Sequence, residues 1–167
     1  MAEAAPVQAA IGLGGSLGDA IASVRAAIEE LDGIPDTHLL RASSLYRTAA
    51  WGVEAQPDFI NAVALVETTL PPRVLLDALL EIERRHGRDR SRETRWGPRT
   101  LDLDLLLHGD AVLDEDGLTL PHPQMHRRAF VLRPLLDVWP QACIPGVGAA
   151  SEALAQLACG GIERILD

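Results

Sequence analysis

Residues 95–110 read RWGPRTLDLDLLLHGD. Inside this stretch, Leu101–His108 is an apolar run of strand length that carries two carboxylates, Asp102 and Asp104. Side chains on a strand alternate between its two faces. Leu101, Leu103, Leu105 and Leu107 therefore share one face, expected to be the core, while Asp102, Asp104, Leu106 and His108 share the other. The two carboxylates are spaced about 6.5–7 Å along the strand, where like charges repel, more strongly when partly buried. Two readings are open. A solvent-facing strand with two ordinary aspartates accounts for any short D-x-D. A divalent cation held between them accounts for why the pair is tolerated, and hard oxygen ligands with open positions suit Mg²⁺ shared with substrate phosphates.

The residues just upstream favour the cation. Arg84, Arg85, Arg88, Arg90, Arg92, Arg95 and Arg99 face only Asp89 and Glu93 in the same segment, on a chain whose net charge is −9. A basic segment on an acidic protein suits a small polyanion, whereas the overall charge argues against nucleic acid as a partner. Metal-binding carboxylates beside a cationic loop supply what phosphoryl transfer needs: charge neutralisation, in-line positioning and exclusion of water. Solvation alone explains exposed arginines but not Trp96 and Gly97-Pro98 set among them. All 15 basic residues are arginine. Without lysine, neither a Walker A motif nor a Schiff base is available, so phosphates must be met by arginine, metal and backbone N–H groups.

Length and composition set the frame. A chain of 167 residues, 47% hydrophobic and 23% charged, is expected to form a single domain over 1–167. The N-terminal MAEAAPVQAAIGLGG is acidic where a signal peptide is basic, and its apolar run is short and broken by glycines, so neither a leader nor a membrane span is expected. Cys143 and Cys159 match no zinc spacing and no CxxC motif; reduced thiols in a cytoplasmic protein are the expectation, with a single disulfide left open.

Working outward, Val7–Gly14 reads as a strand, followed by GGSLGD and a helix from Asp19 to Leu31. Asp19 is its expected N-cap, and Ile21, Val24, Ile28 and Leu31 form its apolar stripe. His38–Arg47 and Phe59–Thr68 read as strands. Pro71-Pro72 opens a second helix with Val74, Leu75, Ala78, Leu79 and Ile82 inward and Gly87 as its stop. LTLPHPQMHRRAF reads as extended and turn-like with room for a short helical piece. Val131–Val138 and Ser151–Cys159 read as helices. The order β-α-β-β-α-β is the ferredoxin-like arrangement, an α+β sandwich with a largely antiparallel sheet and helices on one face, here with a C-terminal extension.

RWGPRTLDLDLLL closely resembles the signature of the 6-hydroxymethyl-7,8-dihydropterin pyrophosphokinase family. SSLYRTAAWG with QPDFINAV resembles its pterin-loop region, EIERRHGRDR its helix-to-loop segment, and LTLPHPQMHRRAF its downstream nucleotide region. The resemblance implies a ferredoxin-like fold, two Mg²⁺ ions, and transfer of the β,γ-pyrophosphoryl group of ATP to the hydroxymethyl oxygen of 6-hydroxymethyl-7,8-dihydropterin with release of AMP. By the same resemblance, Asp102 and Asp104 ligate both ions. Thr48, Ala49, Trp51, Phe59, Asn61, Trp96 and Phe130 line the pterin site. Glu83, Arg90, Trp96, Arg99, Leu105, Thr119, His122, Pro123 and Arg128 bind ATP. Arg88 and Arg99 assist catalysis.

Elementary chemistry agrees with parts of this assignment. A flat heteroaromatic ring wants two aromatic faces, and the chain's only two phenylalanines are Phe59 and Phe130. Asn61 can both donate to and accept from a pterin edge. Guanidinium forks suit phosphate oxygens. A metal-lowered hydroxyl pKa removes the need for a strong base, and closure of Thr48–Asp58 and Gly87–Pro98 is expected to exclude water.

The chain departs from the family pattern in places. GGSLGD stands for the usual GSNLGD, altering Gly15 and Ser16. Ala49 replaces a frequent proline, Leu80 a glutamine, Pro123 a tyrosine and Gly117 a basic residue, and the loop between Arg90 and Arg95 is one residue longer. Weaker nucleotide binding with unchanged chemistry is the expectation. A monomer is expected. The alternatives are another Mg²⁺-dependent phosphoryl or nucleotidyl transferase, and a non-catalytic ferredoxin-like ligand-binding module.

Overall fold

The structure, a computed structural model, describes residues 5–16, 19–48, 58–87, 101–158 and 161–165. Strand β1 (Val7–Gly15) leads into helix α1 (Ala20–Leu31), then β2 (Thr37–Ala42), β3 (Tyr46–Thr48) and β4 (Phe59–Thr68). Helix α2 (Pro72–Arg85) and β5 (Asp102–His108) follow. The remainder holds the hairpin β6 (Leu113–Glu115) and β7 (Leu118–Leu120), a 3₁₀ turn at Met125–Arg127, α3 (Ala129–Val138), the short pair β8 (Cys143–Ile144) and β9 (Gly148–Ala149), α4 (Ala150–Ala155) and β10 (Ile162–Arg164).

The sheet runs β10-β3-β4-β1-β5, with β2 also on β4, and every pairing is antiparallel. Two split βαβ units, β1-α1-β2 and β4-α2-β5, interleave, which is the ferredoxin-like topology. Local chemistry starts and stops the helices as expected. The Asp19 carboxylate accepts from the Ala22 amide at 3.1 Å, Pro72 occupies the first turn of α2, and Gly87 ends it at φ 84° with its amide on the Arg84 carbonyl.

Ala20, Val24, Ala27 and Leu31 of α1 and Leu75, Leu79 and Ile82 of α2 bury one sheet face against Ile11, Leu13, Ala62, Ala64, Leu103 and Leu105. Ile21 and Ile28 flank this core half-buried, and Val74 does not join it: it is exposed, one position off the buried stripe. The expectation of helices on one face also changes. Leu132, Leu135 and Val138 of α3, with Ala150 at the start of α4, cover part of the second face over Ala10, Val63, Leu65, Leu106 and Leu107.

Three further expectations are corrected. The single strand His38–Arg47 is two strands, because Ser43 breaks it: its amide donates to the Val63 carbonyl at 2.8 Å and its hydroxyl accepts from the Val63 amide at 2.9 Å. The helix expected over Ser151–Cys159 is the shorter Ala150–Ala155. The alternation along β5 does not persist. Ile11 pairs with Leu105 but Ala10 with Leu107, so Leu106 is an extra, bulged residue. The bulge shifts the phase: Leu107 joins Leu106 in the second core, and His108 turns to bond the Leu70 carbonyl at 2.8 Å.

Candidate active site

The second sheet face is divided. α3 and α4 cover one half; the other half holds Gly12, Gly14, Asn61, Asp102 and Asp104 around a cavity of about 70 Å³. The register explains the opening. Gly12 pairs with Asp104 and Val63, and Gly14 with Asp102 and Asn61. Both carboxylates thus stand beside residues without side chains, and the floor between them and Asn61 is cleared. A Cβ on Gly14 would lie 2.9 Å from Asn61 Oδ1, and one on Gly12 would lie 3.4 Å from Leu106. These two glycines were not among the expected site residues, although their signal, glycine at alternate positions of AIGLGG, is legible.

Phe130, at the start of α3, and Arg128 and His122, just before it, complete the walls. The Arg128 guanidinium lies 5.8 Å from the Phe130 ring centroid. His122 is anchored by its amide on the Leu106 carbonyl at 2.9 Å, at the bulge of β5. Its Nδ1 accepts from the Gln124 amide at 3.2 Å, which leaves the neutral ring's proton on Nε2. Burial, reinforced by Arg128 and opposed by Asp102, pushes this imidazole below its ordinary range.

A second cavity, of about 470 Å³, opens at the outer edge of β5. Leu76, Leu80, Leu103 and Leu105 form its apolar side; Gly117, Leu118 and Thr119 of the β6–β7 hairpin, with His122 and Pro123, form the other. Asp104 and His122 line both cavities. The arrangement offers an apolar chamber and a small polar chamber that meet at a carboxylate and an imidazole.

Most described candidates converge here. Asn61, Asp102, Asp104, His122, Arg128 and Phe130 line the smaller cavity, and Leu105, Thr119, His122 and Pro123 the larger. Leu80 and Gly117, two of the departures, also line the larger one. Phe59 and Thr48 are register partners on the sheet, Phe59 two positions from Asn61 and so on its face; Phe59 is 37% exposed rather than core. Thr48 Oγ1 is buried without a hydrogen-bond partner among the described residues. Glu83 lines neither cavity: it is 2% exposed and accepts from the Leu103 amide at 2.7 Å. Ala49, Trp51, Arg88, Arg90, Trp96 and Arg99 lie outside the described residues, as does most of the two segments expected to close over the site.

Comparison with known proteins follows the same line. A family model described as 7,8-dihydro-6-hydroxymethylpterin-pyrophosphokinase (HPPK) matches residues 10–140. The chain is similar to the 2-amino-4-hydroxy-6-hydroxymethyldihydropteridine pyrophosphokinase of Haemophilus influenzae, 41% identical over 152 residues, 91% of this chain and 94% of the relative. To the protein of the same name from Pseudomonas aeruginosa it is 43% identical over 155 residues, 93% and 94% of the two chains. Among solved structures, a Plasmodium falciparum HPPK-DHPS crystallised with pterin and p-hydroxybenzoate superposes with a TM-score of 0.74 at 13% identity. That match covers 100% of this chain but 48% of the other, so the chain spans about half of that solved protein, and the likeness speaks for the fold.

Proposed function

The chain belongs to the 7,8-dihydro-6-hydroxymethylpterin-pyrophosphokinase family, and from that membership we propose that it transfers the β,γ-pyrophosphoryl group of ATP to the hydroxymethyl oxygen of 6-hydroxymethyl-7,8-dihydropterin. The reaction belongs to folate biosynthesis. The observation that carries the reading is the meeting of two chambers at Asp104 and His122. The pterin occupies the smaller chamber, its edge on Asn61 and its ring against Phe130, with Phe59 and Thr48 alongside. ATP occupies the larger, its base among the leucines and its phosphates toward Asp104 and His122.

In the transfer, the hydroxymethyl oxygen attacks the β-phosphorus. A new O–P bond forms, the bond from that phosphorus to the oxygen it shares with the α-phosphorus breaks, AMP leaves, and the hydroxyl proton passes to solvent. Neutral His122 offers Nε2–H to a phosphate oxygen without a competing charge, and Arg128 adds a fixed cation. Arg88, Arg90, Trp96 and Arg99 enter this proposal through the family motif, as do Ala49 and Trp51 on the pterin side.

Asp102 and Asp104 fit Mg²⁺. A cation on this pair would complete its shell with phosphate and water oxygens, as Mg²⁺ beside phosphates does. Two such ions, held by both carboxylates, supply charge neutralisation and a lowered hydroxyl pKa when bound. Incubating the protein with Mg²⁺, ATP and the hydroxymethyl dihydropterin tests the proposal: AMP and the pyrophosphorylated pterin are expected, and ADP, or no AMP, refutes it.

A further inference from the structure

Glu83 is the one buried charged side chain among the described residues. Burying a carboxylate is costly unless hydrogen bonds offset it, and Glu83 is buried beside Leu79 and Ile82 of the same helix. Among the described residues, the carboxylate bonds the outer edge of β5. Among the described residues that strand pairs only with β1, and no described strand lies on its far edge. Glu83 takes the Leu103 amide at 2.7 Å, and the His122 amide takes the Leu106 carbonyl at 2.9 Å. Leu103 is the residue between Asp102 and Asp104, and its peptide links the two.

We infer that Glu83 is a positioning residue: by holding the Leu103 amide from α2 it sets the spacing and tilt of Asp102 and Asp104 as a cation-binding pair, without touching nucleotide or metal. The inference rests on the Mg²⁺ reading of that pair. It also differs from the nucleotide contact that the family motif implies for Glu83, because the side chain opens into neither chamber. Partners of this kind, one bond removed from the ligands, change metal affinity or activity by about 10–100-fold when lost.

The test uses the full chain with Glu83→Met, which keeps the volume and removes the acceptor, Glu83→Ala, and Glu83→Gln, whose amide oxygen can still accept from Leu103. Mn²⁺ binding is followed by electron paramagnetic resonance with a non-hydrolysable ATP analogue and pterin present, beside AMP formation and melting temperature. Glu83→Met is expected to melt below the wild-type temperature, because the buried Leu103 amide loses its acceptor, so metal binding is compared well below each variant's melting point. Its Mn²⁺ midpoint is expected to rise about 10–100-fold with a matching fall in kcat. Glu83→Gln is expected to restore both to within about threefold of wild type. A wild-type Mn²⁺ midpoint in Glu83→Met or Glu83→Ala overturns the inference, whatever happens to stability. So does a raised KM for ATP with Mn²⁺ binding unchanged in any of the three, which marks a direct nucleotide contact. If wild type binds Mn²⁺ no better than Asp104→Ala, the metal reading itself fails, and the inference with it.

Discussion

Gly14 and Asn61 face each other across the β1–β4 ladder so closely that a Cβ on the glycine would stand 2.9 Å from Asn61 Oδ1. The amide therefore occupies space that any other residue at position 14 would claim. Gly14→Ala is expected to displace Asn61 rather than unfold the sheet, because the contact is with the end of a side chain. Stability should stay within about 1 kcal/mol of wild type, the strand gaining from alanine what it loses in crowding. A small misplacement at the substrate should cost more, about 10–100-fold in kcat/KM for the pterin, with KM for ATP little changed. Steady-state kinetics with each substrate varied in turn would decide this.

Asp104 lines both chambers. Asp104→Ala should leave the fold intact, since the residue is half-buried and outside both hydrophobic clusters. Turnover should fall below about one-thousandth of wild type, the scale of removing a major electrostatic stabiliser in phosphoryl transfer. AMP release paired with circular dichroism is the measurement. Turnover near wild type would remove the metal pair from the mechanism.

Phe130 presents its ring to the smaller chamber with Arg128 against it. Phe130→Ala should raise KM or Kd for the pterin by about 10–100-fold, in keeping with stacking of a flat base on an aromatic ring. ATP binding should change much less. Equal losses for both substrates in a titration would point to collapse of the α3 entrance instead.

Away from the site, the Tyr46 hydroxyl donates to Asp137 at 2.7 Å and ties β3 to α3, with Arg133 over the ring. Burial, and then the Asp137 carboxylate, raise this phenol above its ordinary value. The unfolded chain loses the proton near pH 10, while the folded chain still holds it. Stability should therefore decline as pH rises above about 10, where the folded state binds more protons than the unfolded one. Tyr46→Phe should cost about 1–2 kcal/mol at neutral pH and flatten that alkaline decline. Urea unfolding of both proteins from pH 8 to 11 would measure it.

Much of this was legible from residue order. Periodicity located β1, α1, β4, α2 and β5, and turn chemistry at Asp19, Pro72 and Gly87 marked helix ends, because these signals depend only on near neighbours in the chain. Asp102 and Asp104 could be placed on one face for the same reason. The bulge at Leu106 was not legible, since it exists only in the register of β5 against β1. Ser43 likewise ends β2 through bonds to Val63, twenty residues away. The role of Gly12 and Gly14 could have been read from their alternation, but its meaning depends on which strands flank β1.

By itself, then, the sequence determined the family, the α+β order of elements and the two carboxylates on one strand face, because local spacing and a long motif carry that information. Only the tertiary structure decided which of the described candidates line each chamber. It set the glycines beside the aspartates, turned Leu107 away from the first core, and buried Glu83 against the Leu103 amide instead of opening it to the larger chamber. Those outcomes depend on strand register and on how α2 and α3 pack across the sheet, where each group's partner lies far away in sequence and is chosen by burial and hydrogen-bond satisfaction.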